Sequence, residues 1–258
     1  MAEEANGLSE EEQRLKQQFR EQTGYWHESF DALLEVDPEF LVVLRDITAH
    51  PRANGPLDNK TEEFVLIALN VAPTTLYTDG IRRHVAGAFE AGATVGEVLE
   101  VIQMASVLGV HTFGENAPIL LEEFDISEAT FTDEELAERE RVRESFREER
   151  GFWTERLDPM LMLDPGFFEQ YVRYSSRPAE RGEVDPKVRE LVYAAIDIST
   201  THLYPSGARV HIRNAIDYGA SLEEIVEVYQ LAFSLSGHSL EQSVDVVVEE
   251  ARAAGRLD

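Results

Sequence analysis

The order of apolar and polar positions is helical along almost the whole chain. Glu11–Gln22 is a charged amphipathic stretch. From Phe30 to Ile47, the residues Phe30, Leu33, Leu34, Phe40, Val43, Leu44 and Ile47 recur three or four places apart, interrupted only at Asp37-Pro38. Proline fits a helix's first turn, where its missing N–H has no partner to lose, so Asp37 reads as an N-cap and Pro38 as the start of a new helix. Lys60–Val71 is apolar nearly all round, which predicts a buried helix. A turn-rich loop, Pro73–Gly80, leads to a helix over Ile81–Ala91 that stops at Gly92. Thr94-x-x-Glu97 and Ser221-x-x-Glu224 are capping boxes, each predicted to open an apolar helix of about 15 residues. Period-two strand patterns are scarce, so the predicted fold class is all-α.

The pattern also repeats. Displaced by 127 positions, the sequence matches itself without a gap: Phe19-Arg20-Glu21 with Phe146-Arg147-Glu148, Asp37-Pro38 with Asp164-Pro165, Lys60 with Lys187, and Leu76-Tyr77 with Leu203-Tyr204. A period of this size is a domain and not a solenoid repeat. The expected organisation is two similar helical domains from a tandem duplication, residues 8–127 and 135–254, joined around the acidic stretch Asp125–Glu140.

Composition narrows the chemistry. The 258 residues carry a net charge of −27 and no cysteine. A surface this acidic repels phosphate backbones and anionic bilayers, so neither nucleic acid nor membrane is an expected partner. The lack of cysteine excludes disulfides, thiolate nucleophiles and CxxC redox cycles. The first residues are acidic and polar where a signal peptide would be basic and then apolar, so a cytoplasmic location is expected. Lysine is scarce among many carboxylates, which suits either adaptation to concentrated salt or an ordinary acidic protein.

The strongest motif runs from Glu63 through Leu76-Tyr77-x-x-Gly80-x-Arg82-x-His84 to Gly92-Ala93-Thr94-x-x-Glu97. It returns as Glu190, Leu203-Tyr204-x-x-Gly207-x-Arg209-x-His211 and Gly219-Ala220-Ser221-x-x-Glu224. It resembles the carboxymuconolactone decarboxylase family, whose all-helical fold is shared with alkylhydroperoxidase D. The redox branch of that fold carries CxxC where this chain has Tyr77 and Gly80, then Tyr204 and Gly207, so no peroxidase is expected. Arg-x-His is matched twice and implies decarboxylase-like acid–base chemistry without a cofactor, on a small carboxylated or lactone metabolite. The resemblance also implies homo-oligomers, and two units per chain suggest a trimer.

Those residue types suit such a reaction. Arg82 and Arg209 offer bidentate forks for a carboxylate. Histidine as a residue type titrates near neutral pH, so His84 and His211 are the candidates to move the proton. Glu63 and Glu190 can hold each imidazole's tautomer, and Tyr77 and Tyr204 can donate to an enolate oxygen. Plainer readings stand beside these. Glu63 and Glu190 could simply pair with Lys60 and Lys187 one turn earlier, and the tyrosines could be core aromatics. His111 and His238, placed towards the end of the apolar helix, could be charged residues favoured by its dipole. His202 has no histidine partner, since Thr75 holds the equivalent place, so the two pockets need not be equivalent. Two other functions remain open. One is a metal enzyme built from Glu63, His84 and His111 with Glu190, His211 and His238. The other is a duplicated scaffold without catalysis.

Overall fold

The computed structural model describes residues 8–257 apart from Gly151 and Phe152, and among these residues there are helices and no strand. In chain order they are α1 (Glu10–Thr23), α2 (Ser29–Val36), α3 (Pro38–Asn54), α4 (Asn59–Val71), α5 (Thr78–Glu90), α6 (Val95–Ser106) and α7 (His111–Glu123). The second half follows with α8 (Asp133–Arg150), α9 (Asp158–Leu163), α10 (Pro165–Arg181), α11 (Pro186–Ile198), α12 (Pro205–Asp217), α13 (Leu222–Phe233) and α14 (Gly237–Ala253). Helices α11, α12 and α13 lie 127 residues after α4, α5 and α6, the offset at which the sequence matches itself. No helix among the described residues is long and apolar enough to cross a membrane.

The helix ends follow the local chemistry. The Asp37 carboxylate accepts the Phe40 N–H at 3.0 Å, and Asp164 accepts that of Phe167 at 2.8 Å. Both capping boxes close: Thr94 N donates to Glu97 at 2.7 Å, and Ser221 N to Glu224 at 2.8 Å. Gly92 takes φ +86°, a left-handed conformation costly to a residue with a Cβ, and lets the Ala93 N–H reach back to Ala88.

Three boundaries differ from the pattern-based expectation. Helix α3 does not stop at Ile47 but runs through a buried Pro51 to Asn54. Helix α5 starts at Thr78, which shortens the preceding loop and puts Tyr77 at its N-cap. The apolar helices opened by the capping boxes break after 12 residues into short 3-10 turns, Val107–Val110 and Ser234–Ser236, before α7 and α14 begin. Hydrophobic periodicity runs straight across such a turn because the winding changes by less than one residue. As a result, His111 and His238 stand at helix N-terminal ends, and the helix-dipole account of them is withdrawn.

One hydrophobic core serves both halves. Phe64, Val65, Ile67 and Leu69 of α4 and Val101 and Met104 of α6 form one cluster with Leu191, Val192 and Ile196 of α11 and Val228 and Leu231 of α13. Each such side chain stabilises the fold by roughly 1.5–3 kcal/mol when fully buried. Two smaller aromatic clusters flank it: Phe19, Phe30, Leu34 and Leu41 with Trp26, and Phe146, Leu161 and Phe168 with Trp153. The last helix of each half crosses to the other. Helix α14 packs on α2, where Leu240 and Val244 join the first aromatic cluster, and α7 packs on α9, where Phe113 joins the second.

Candidate active site

The paired motif brings glutamate and histidine together twice. Glu63 Oε2 on α4 lies 2.8 Å from His84 Nδ1 on α5, and Glu190 Oε2 on α11 lies 2.7 Å from His211 Nδ1 on α12. Lys60 instead pairs with Glu97 at 2.8 Å and Lys187 with Glu224 at 2.6 Å, so the lysines do not occupy the motif glutamates. Burial opposes ionisation of Glu63, but hydrogen bonds and charges from His84 and Arg52 outweigh it and hold its carboxyl below the ordinary glutamate range.

Around His84 there is a cavity of about 460 Å³. Its apolar wall comes from Phe40, Val43, Leu44 and Ile47 of α3, Leu66 of α4, and Leu231 and Phe233 of α13. Polar groups converge at one end: Arg52, Arg83, His84, His238 and Glu241. Apolar walls with a few converging polar groups describe a small-molecule site. The first fifty residues therefore cover the pocket, as α3 supplies most of one side. Arg52 donates from Nη2 to Glu63 at 2.6 Å and from Nε to Glu62 at 2.7 Å, which leaves Nη1 for a ligand. With His84 Nδ1 engaged by Glu63, Nε2 is the atom that can exchange a proton with a ligand.

Behind this end lies a second polar cluster. The buried Tyr77 hydroxyl donates to Glu241 at 2.6 Å, and Arg83 Nη2 donates to the same carboxylate at 3.1 Å while stacking 3.6 Å from the Tyr25 ring centre. Burial pushes Glu241 towards neutrality, but Arg83 and Tyr77 prevail and keep it below its usual range. His238, its ring tilted 42° to that of Tyr77 with centres 4.2 Å apart, is pushed down to about 4 chiefly by burial and is neutral at pH 7. Tyr77 is delivered by Leu76, a non-glycine residue at φ +46° whose N–H is held by Ala72 O at 3.0 Å. Leu203 does the same for Tyr204 at φ +50°.

The second half carries different residues at the positions equivalent to the cavity's lining. Tyr193 stands where the first half has Leu66 and stacks 4.7 Å from His211, so the ring fills space beside the imidazole. Tyr171 and Tyr174 replace Leu44 and Ile47, and Tyr174 bonds Ser106 at 2.6 Å. Ala179 replaces Arg52, Val210 replaces Arg83 and Gly114 replaces Glu241. In their place Tyr204 lies 4.0 Å from His111, ring centre to ring centre, and His111 Nδ1 lies 2.7 Å from His202 Nε2.

The arginines predicted from Arg-x-His sit elsewhere. Arg82 is exposed and does not line the His84 cavity. Arg209 is exposed along an open cleft with Asp197 and Tyr204. The guanidinium groups at the cavity are those of Arg52 and Arg83. Arg52 has alanine as its counterpart, and the duplicated pattern gave no reason to select it. Nor does the structure gather Glu63 and His84 with His111. Because α7 and α14 cross over, His238 accompanies His84, and His111 belongs with the second half.

These features define an all-helical, cysteine-free protein with a carboxylate–imidazole pair beside a largely apolar pocket. The sequence pattern of the carboxymuconolactone decarboxylase family matches residues 165–250. A solved structure named "putative gamma-carboxymuconolactone decarboxylase subunit", from Burkholderia xenovorans LB400, superposes with a TM-score of 0.85 at 33% identity. That likeness covers 94% of this chain and 98% of the other, so it spans both halves. No curated protein matches the sequence significantly. The chain belongs to the carboxymuconolactone decarboxylase family.

Proposed function

We propose that the protein is a cofactor-independent, decarboxylase-like lyase for a small carboxylated or lactone metabolite, and that the first-half cavity is where it acts. The observation that carries this reading is the Glu63–His84 pair opening onto the 460 Å³ apolar cavity beside Arg52 and Arg83. Arg52 Nη1, with Arg83 close by, would orient the substrate carboxylate. The C–C bond to that carboxylate breaks, its electron pair passes into a conjugated carbonyl, and CO2 leaves. Protonated His84 then delivers its Nε2 proton to the carbon of the enolate and regains one from solvent. Glu63 keeps the imidazole oriented. Tyr77 is already committed to Glu241, so its place in this scheme is to hold that carboxylate on Arg83 and not to meet the enolate. Glu190, His211 and Tyr204, with Arg209 on its cleft, form a second site reduced to packing.

CO2 release from conjugated lactone acids tests the assignment. His84→Gln should lower kcat/KM by about 10²–10⁴-fold, the usual worth of a general acid–base group, with the fold retained. His211→Gln should change it less than about twofold. Equal losses in both variants would remove the claim of a single working pocket, and an undiminished His84→Gln would remove the mechanism.

Oligomerisation belongs to the same proposal. Helices α6 and α13 expose Val95, Leu99, Leu222, Val226, Tyr229 and Phe233, an apolar surface that further copies would cover. Light scattering should return three times the 29.1 kDa chain, and a monomer would contradict the trimer.

A further inference from the structure

The second half carries a cluster that acid–base chemistry in the first half leaves unused. His111, the first residue of α7, meets His202 in the loop after α11 and Asp197 near the end of α11. One ligand atom from each falls within 4.8 Å of the others. His111 Nδ1 is 2.7 Å from His202 Nε2, with the two rings stacked at 8°, and His202 Nε2 is 3.9 Å from Asp197 Oδ1. Two imidazole lone pairs thus face one gap that a single proton bridges. The Asp197 side chain is only 4% exposed, and its Oδ2 has no hydrogen-bond partner among the described residues.

We propose that His111, Asp197 and His202 bind a first-row divalent transition metal ion, and that the ion clamps α7 of the first half onto α11 of the second. Two borderline nitrogen donors and one carboxylate favour Zn2+ or its neighbours over Mg2+ or Ca2+, which prefer all-oxygen shells. Bonds of about 2.1 Å in a tetrahedral shell set ligand atoms roughly 3.4 Å apart, so the 2.7 Å His111–His202 spacing must open, the 3.9 Å His202–Asp197 spacing must close, and no pair starts farther apart than 4.8 Å. A buried carboxylate without a partner is costly, and a dication would supply the missing charge. An open cleft of about 420 Å³ runs along Asp197 and Tyr204. The first half supplies an internal control. At the equivalent places it has Asn70, Thr75 and His238, which cannot form the same donor set, and Asn70 donates instead to Leu66 O at 2.8 Å.

This proposal extends beyond the lyase reading and is tested without turnover. Full-length protein is stripped with chelator and titrated with Co2+ while the visible ligand-field bands are followed. One Co2+ per chain is expected, with a raised melting temperature. Asp197→Asn and His202→Thr install residues the first half already tolerates at these positions. Each should weaken Co2+ at least about tenfold, and together they should abolish the bands while the helical circular dichroism persists. Independently of any variant, the Co2+ form of the native protein should show two paramagnetically shifted imidazole N–H resonances. Absence of those resonances, no Co2+ uptake, or unchanged uptake by the double variant would each overturn the proposal. His84→Gln should retain the metal, so failure here and failure of the lyase reading give different results.

Discussion

At the scale of single residues, the two halves treat one repeated glutamate in opposite ways. Glu100 is buried and receives Arg189 Nη2 at 2.9 Å together with the Glu183 and Val184 N–H groups. Its counterpart Glu227 is equally buried but faces Glu62, because position 62 is glutamate where the second half has Arg189. Burial, then the neighbouring Glu62 carboxylate, pushes Glu227 up to about 7 against the Leu57 N–H that favours its charged form. Between pH 4.5 and 7 the folded chain therefore keeps a proton that the unfolded chain has released, and stability falls as pH rises through that window. Glu227→Gln keeps the shape without the charge. It should raise the melting temperature by several degrees at pH 8 and leave it unchanged near pH 4.5, which calorimetry at the two pH values would show. Glu63 and Glu241 have the opposite sign. Both are held below their ordinary range, so their stabilisation is present above pH 4.5 and is lost on acidification below it.

At the scale of elements, the helices were legible wherever a local rule acts. The Asp37 and Asp164 caps, both capping boxes and the Gly92 stop follow from neighbours within a few residues. The breaks at Val107–Val110 and Ser234–Ser236 were not legible, since apolar residues continue through them. Helices α4 and α11 show how one element decides whether a pocket exists. Leu66 leaves space beside His84, and Tyr193 fills it beside His211. Leu66→Tyr should therefore close the first cavity with a ring this fold already accommodates in its other half. The expected outcome is a loss of kcat/KM of more than about tenfold, at an overpacking cost of about 1–3 kcal/mol in chemical denaturation. Unchanged turnover would show that the reaction does not use this cavity.

At the scale of the whole molecule, the two halves are interlocked. The main core draws on α4, α6, α11 and α13, and each half's last helix lies on the other half. Residues 8–127 alone would expose the α4 and α6 faces that meet α11 and α13, together with the α2 surface that α14 covers. We expect the full chain to melt in one transition and the isolated half to show the weak, dye-binding character of a chain without fixed packing. Two calorimetric transitions, or an isolated half that melts cooperatively, would instead mark each half as an independent domain. The net charge of −27 bears on association and not on the choice of fold.

The sequence by itself determined the helical class, the 127-residue repeat, the caps and the exclusion of thiol chemistry. Each of these rests on composition or on spacings along the chain. Only the tertiary structure decided that Arg52 and Arg83 reach the pocket while Arg82 does not, that His238 serves the first half and His111 the second, and that Tyr193 occupies the second pocket. These are contacts between residues far apart in sequence, set by how α7 and α14 cross between the halves, and no periodicity within a single helix encodes them.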